Sequence, residues 1–250
     1  MKRFLVVFIF LLAGLSSSAQ RLLLKNLTTF DDKLIHFGFT LGINTVDLGF
    51  THYQNMQDNE AFLLSTNVLD QQYMNSSIRA DIATLTPGFT VGIVTNLRLA
   101  ESFDLRFLPG MSFSERKLVY NIAISDVNSD NTEFYSIKST FLDFPLLLKY
   151  KSKKMNNQRP YLIAGPAMRI DISKSGQEDL VRLKPLSTYL EAGVGWDTYL
   201  QFFRLSTELK FSFGLNNVLD KGPKAEQPQV YSSAFSRLTS NVFTLSFHFE

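Results

Sequence analysis

The sequence has 250 residues, with 25 Lys and Arg against 23 Asp and Glu, three His, 23 Phe and no Cys. Lack of Cys excludes a disulfide framework and a lipid-anchored cysteine, and so even a charge balance offers nucleic acid no basic surface. No stretch after residue 20 has the run of about eighteen apolar residues that a spanning helix needs.

In chain order, the first feature is a leader. Lys2 and Arg3 precede the apolar run Phe4 to Leu15, and SSSAQ follows with small residues at Ser17 and Ala19. This is the pattern of a secretory signal peptide cut after Ala19, so residues 1–19 are assigned to the leader and 20–250 to one mature domain. An N-terminal membrane anchor is the weaker reading because the run is short for a bilayer. Without Lys2 and Arg3 the remainder carries equal numbers of basic and acidic residues.

Eight segments then alternate with period two, the signature of strands with two unlike faces. Phe37, Phe39, Leu41 and Ile43 oppose His36, Gly38, Thr40, Gly42 and Asn44, and Phe89, Val91, Ile93 and Leu97 oppose Thr90, Gly92, Asn96 and Arg98. Phe103, Leu105, Phe107, Met111 and Phe113 oppose Asp104, Arg106, Gly110 and Ser112. Leu142, Phe144, Leu146, Leu148 and Tyr150 oppose Asp143 and Lys149. Leu162, Ala164, Met168 and Ile170 oppose Gly165, Arg169 and Asp171, and Leu186, Leu190, Ala192, Val194 and Trp196 oppose Ser187, Glu191, Gly193, Gly195 and Asp197. Phe203, Leu205, Leu209, Phe211 and Phe213 oppose Arg204, Ser206, Glu208, Lys210 and Gly214. NVFTLSFHFE completes the set as the closing strand, with Phe243, Leu245, Phe247 and Phe249 against Thr244, Ser246, His248 and Glu250. Pro109, Pro145 and Pro166 lie within these runs and predict local breaks or bulges.

The connections alternate in length. Those near 45–87, 115–137 and 216–239 are long and 172–185 is moderate, whereas LAES, KSKKMNNQ and the turn near Gln201 are short and share one end. Outer-membrane barrels are built this way, with brief periplasmic turns and extended outer loops. A soluble lipocalin-like barrel or β-sandwich is the counter-reading, but its water-facing side should carry scattered charge rather than many glycines. Segments of ten or more residues also fit a tilted bilayer crossing better than a sandwich strand. The fold is therefore read as all-β, an eight-stranded antiparallel outer-membrane barrel with lipid as its surroundings.

Three expectations follow. His36 and His248 should face the lumen near each other at the short-turn mouth, where the first and last strands pair. Phe37, Phe103, Tyr150, Phe203 and Phe249 should form an outward aromatic girdle at that end. The inward charges Arg98, Asp104, Arg106, Asp143, Lys149, Arg169, Asp171, Glu191, Asp197, Arg204, Glu208 and Lys210 should pair as a network filling a narrow lumen rather than line an ion path. The run KSKKM reads as a solvated turn.

No catalytic, cofactor-binding or metal-binding residues are assigned. His36, His52 and His248 are far apart, no Cys completes a zinc set, and no nucleophile-elbow, P-loop or dinucleotide motif appears. Ser114 and His52 look catalytic only by residue type. An outer-membrane hydrolase or acyltransferase would need a constellation at the outer rim, and neither His36 nor His248 is placed there.

NLRLAESFDLRFLPGMSFSERKLVY (96–120) resembles the PorT/SprT family of Bacteroidetes outer-membrane proteins, as do HFGFTLGINTVDL, STFLDFPLLLKYKSKKMNNQRPYLIAG (139–165) and the stretch containing YLEAGVGWD and LSTELKFSFGL. The resemblance implies an eight-stranded barrel, a non-enzymatic role in type IX protein secretion, gliding motility in gliding hosts, and other secretion components as partners. Residues 52–84 and 216–239 match no motif. A small adhesin or ligand-binding barrel is the first rival reading and an outer-membrane enzyme the second.

Overall fold

The computed structural model describes residues 26–52, 77–123, 131–173, 184–219 and 235–250. The leader assigned to residues 1–19, and residues 53–76 of the stretch 52–84, lie outside them. Ten strands are described: β1 Ile35–His52, β2 Ser77–Leu85, β3 Pro87–Arg98, β4 Phe103–Phe107, β5 Gly110–Ala123, β6 Asn131–Lys151, β7 Gln158–Asp171, β8 Leu186–Tyr199, β9 Arg204–Gly214 and β10 Phe235–Phe249. They make one antiparallel sheet that closes on itself through β1 paired with both β10 and β3.

Eight arms account for the ten strands. β4 and β5 form a single arm, since β6 pairs with both in one unbroken register from Phe103↔Tyr150 to Ile122↔Asn131. The interruption falls at Leu108 and Pro109, where proline has no N–H to give the ladder. Ile93 N still donates to the Pro109 carbonyl at 2.9 Å, and Leu108 N to the Pro145 carbonyl at 3.2 Å. β2 and β3 meet at Thr86 in the same way, with a slip between Ile82 and Thr84. Pro145 and Pro166 bracket a gap in the β6–β7 ladder at Leu146 and Leu147. The expected breaks are all present.

The size of the ring follows from its registers. A walk from Ile35 crosses Leu97, Leu105, Leu148, Ala164, Ala192, Phe211 and Phe243 and re-enters β1 at Thr45, a stagger of ten residues. Eight arms with that stagger, at ~3.3 Å per residue and ~4.8 Å between strands, tilt by about 40° and close at a radius of about 8 Å. Side chains fill an interior of that width.

The surface is inverted relative to a soluble barrel. Phe37 is 67%, Ile43 53%, Val194 53% and Phe211 49% exposed, while Arg106, Lys149, Asp197 and Glu208 are fully buried. Every alternating segment has the phase read from the sequence. On β1 the apolar exposed positions run from Ile35 to Ile43 and give way to Thr45 and Asp47. Nine residues at this tilt rise about 22 Å, close to the ~25 Å band of a bilayer-spanning barrel. At the short-turn end Phe103 lies 5.1 Å from Tyr150, and Phe249 lies 4.7 Å from Phe39 and 5.9 Å from Phe203. The expected girdle is there.

Two expectations are corrected. Much of the long connections is strand: β1 continues to His52, β2 begins at Ser77, β5 reaches Ala123, β6 begins at Asn131 and β10 at Phe235. Apolar alternation marks where a strand touches lipid, and a ladder can continue beyond that depth without it. The lumen is also filled by more than the expected charge network, because Val94, Leu108, Leu147, Tyr161 and Ile163 form a buried apolar cluster within the ring.

Candidate functional site

The lumen gathers the buried charged residues among those described, so the site is built there. Lumen-facing positions on eight arms point at one another across a narrow ring, and ions in such a space persist only if paired and hydrogen-bonded. Arg106 of β4 does most of the bridging. Its guanidinium donates to Asn96 Oδ1 at 2.8 Å and to Glu208 Oε2 at 2.7 Å, and lies 3.4 Å from Glu250 Oε1. It thereby ties β4 to β3, β9 and the end of β10. Tyr161 donates to the same Glu208 oxygen at 2.9 Å. Its ring occupies space that only a glycine can leave, since a Cβ on Gly195 would sit 2.1 Å from the ring carbon Cζ.

Lys149 lies 3.7 Å over the Tyr161 ring and pairs with Asp197 at 2.7 Å. Ser206 donates to Asp197 at 2.5 Å, and Arg204 pairs with Glu250 at 2.5 Å and Asp197 at 3.9 Å. Asn96 also donates to Glu250. Lys151 pairs with Asp104 at 2.6 Å. Further from the short turns Asp143 pairs with Arg169 at 2.5 Å and Glu191 with Lys210 at 2.7 Å. A small cavity of about 30 Å³ lies among Thr40, Asp143, Arg169, Lys210 and His248. Above it Val46, Ala167, Tyr189 and Val242 form an apolar cluster.

Ten of the twelve predicted inward charges thus join the packed interior. Arg98 stands at the mouth, 3.9 Å from Asp32, and Asp171 caps a turn by accepting from the Ser173 backbone at 2.9 Å. Sequence reasoning missed Lys151, Arg159 and Asp31 as partners. Lys151 and Arg159 share the alternation phase of Lys149 and Tyr161, a signal that was available; Asp31 precedes any alternation. KSKKM is accordingly more than a solvated turn: Lys151 is buried in its ion pair and Lys154 sits 3.6 Å over the Tyr199 ring, leaving Lys153 exposed.

The histidines fall as expected in orientation but at different depths. His36 lies at the mouth, stacked on Phe30 at 4.1 Å. His248 pairs in register with Thr40, further along the lumen, and lies 3.5 Å from Glu208. Ser114 and His52 are not brought to either of them; both belong to the opposite end of the barrel, where Ser114 pairs with Ser139 and β1 ends at His52.

The short-turn mouth is covered by residues 26–34. Leu27 has φ 47°, and a single 3-10 turn, Phe30–Asp32, follows. Asp31 accepts from Tyr199 at 2.8 Å and pairs with Arg159 at 3.3 Å and Arg204 at 3.7 Å. Phe30 lies 4.7 Å beneath the Arg204 guanidinium.

A closed, strongly tilted barrel with an apolar exterior and an ion-paired interior defines an integral outer-membrane β-barrel. The family comparison agrees: residues 18–220 match the family model for the outer membrane protein beta-barrel domain, and the chain belongs to that family. It resides in the outer membrane. No protein of curated function matches it.

Proposed function

We propose that this barrel is a non-enzymatic accessory of protein secretion across the outer membrane, acting in the type IX system and, in gliding hosts, in motility. The pathway rests on the PorT/SprT resemblance of residues 96–165. The observation that supports a contact-making role is the packed lumen. Ion pairs such as Arg106–Glu208 and Lys149–Asp197 span a ring too narrow for cargo, so the rims and outer extensions are what the barrel presents to other secretion components.

A clean deletion strain tests this. Cargo should be made but retained in the cell envelope, and a gliding host should stop moving. Gly193→Leu should reproduce the loss, because a Cβ there meets the Leu209 carbonyl at 2.5 Å, whereas Ser114→Ala and His52→Ala should not. Wild-type secretion by the deletion strain would falsify the assignment. A second reading, a small adhesin, is favoured by the strands of β1, β5, β6 and β10 that run past the apolar band; normal secretion with lost attachment would select it.

A further inference from the structure

We propose that the short-turn mouth is a peptide-binding site for an aromatic residue followed directly by an acidic one. The chain's own Phe30–Asp31 is its resident ligand, and a periplasmic partner segment of the same chemistry exchanges with it. The proposal is independent of the secretion pathway.

Three observations carry it. First, the mouth has the form of a receptor. Phe30 is held between the His36 ring, stacked at 4.1 Å, and the Arg204 guanidinium at 4.7 Å, with the Tyr199 ring edge-on at 6.3 Å. The Asp31 carboxylate is met by Tyr199, Arg159 and Arg204, while Arg98 donates to the Asp31 carbonyl at 2.7 Å. Aromatic faces between cations, and a carboxylate shared by two guanidinium groups, are specific recognition chemistry.

Second, the resident segment is attached as a ligand is, not as a strand. The backbone–backbone bonds of residues 27–33 are local, from Phe30 to Leu27, Asp32 to Thr29 and Lys33 to Phe30. Its other attachments are made through side chains or at single atoms, such as Asn26 to Asn157 at 2.8 Å and Lys154 to the Asn26 carbonyl at 3.0 Å. Leaving the mouth therefore breaks no rung of the barrel ladder.

Third, the wall survives departure. Arg204 keeps Glu250 and Asp197, and Arg159 keeps the carbonyls of Ser152 at 2.6 Å and Glu101 at 3.2 Å. No buried cation is stranded, which is the usual reason an ion-paired contact cannot open. What opening exposes is a cluster of cations, Arg98, Lys154, Arg159 and Arg204, around two aromatic rings.

A tethered segment competes at an effective concentration of about millimolar, so an added peptide should bind at least about tenfold more weakly to the closed mouth than to an open one. The test uses the full mature barrel in detergent micelles and a fluorescein-labelled peptide of residues 26–33, read by anisotropy. Phe30→Ala/Asp31→Asn should open the site and bind the probe saturably, with the wild-type barrel at least about tenfold weaker. A protease site inserted between Lys33 and Leu34 allows the segment to be cut from a barrel already folded, and cutting should produce the same gain. Binding should fall with added salt and on replacing Arg159 with Gln. A probe with its Phe replaced by Ala should bind at least about tenfold more weakly, the scale of losing a stacked cation–aromatic contact. No saturable binding by the cut barrel, or equal binding of the probe lacking Phe, would overturn the proposal.

Discussion

The two halves of the lumen solve the same burial problem with different chemistry. Nearest the short turns, Arg106, Lys149, Asp197, Arg204 and Glu208 are almost completely buried and interlocked across the ring. Toward the long connections the pairs Asp143–Arg169 and Glu191–Lys210 remain, with Ser112 donating to Asp143 and Ser212 to Glu191. They sit among small hydroxyls such as Ser114, Ser187 and Ser240 under the apolar cap of Val46, Tyr189 and Val242. The inner half is specified by partners that must all be present. The outer half is held by two separate ion pairs with their serine donors rather than by one interlocked network, so a change at one pair leaves the other intact. Uniform lipid outside therefore does not impose uniform chemistry inside.

The largest contrast is all-or-none. If both halves are closed, purified protein in a planar bilayer should give no steady conductance of porin size; a large stable conductance would break the account of the lumen at once. Next in size is Arg106→Ala, which leaves Glu208 and Glu250 without the guanidinium they share. Removing one member of a buried pair typically costs about 3–5 kcal/mol, measured here by urea unfolding in lipid. A loss below about 1 kcal/mol, the value of an exposed pair, would mean that water reaches the inner half.

The outer wall should lack the asymmetry of the lumen. On β6 the outward apolar residues run from Tyr150 through Leu146 to Leu142, with Leu146 central. Leu146→Arg should cost about 2–4 kcal/mol, and Leu209→Arg on β9 the same, while Tyr150→Arg and Leu142→Arg should each cost about 0–1. Equal penalties at all depths would argue against a bilayer around the barrel. Unequal penalties at Tyr150 and Leu142 would show that the apolar band is not centred on Leu146.

The difference between halves also explains what the sequence could disclose. The phase of every arm was legible because lipid accepts only one face, so Phe37, Val91 or Phe211 could point nowhere else. The lumen ion pairs were legible as a set, since six acids and six bases read as inward positions of a narrow ring have no stable alternative to pairing, and ten of the twelve do join the packed interior. Their partners were not, because pairing across the lumen depends on the ten-residue stagger, which no local pattern records. Strand ends were misjudged beyond Thr45 and Glu115, where the pattern no longer reports on lipid. The segment over the mouth left no signal at all, for one 3-10 turn held by side chains has no period to detect.

The smallest predicted effect is also the most direct comparison, since it makes one change in both halves. Ser206 and Ser114 are both inward and buried, 0% and 7% exposed. Ser206 donates to the Asp197 carboxylate at 2.5 Å, whereas Ser114 Oγ has no hydrogen-bond partner among the described residues. Ser206→Ala removes a hydrogen bond to a charged group, a loss of about 1.5–3 kcal/mol. It also weakens the support of a carboxylate on which Lys149 and Arg204 rely. Ser114→Ala removes a buried hydroxyl that satisfies nothing, so stability should stay within about 0.5 kcal/mol or rise slightly. Urea unfolding of the two variants in the same lipid decides the matter. Equal losses would show that Ser114 has a partner of its own, and that the outer half is as tightly specified as the inner.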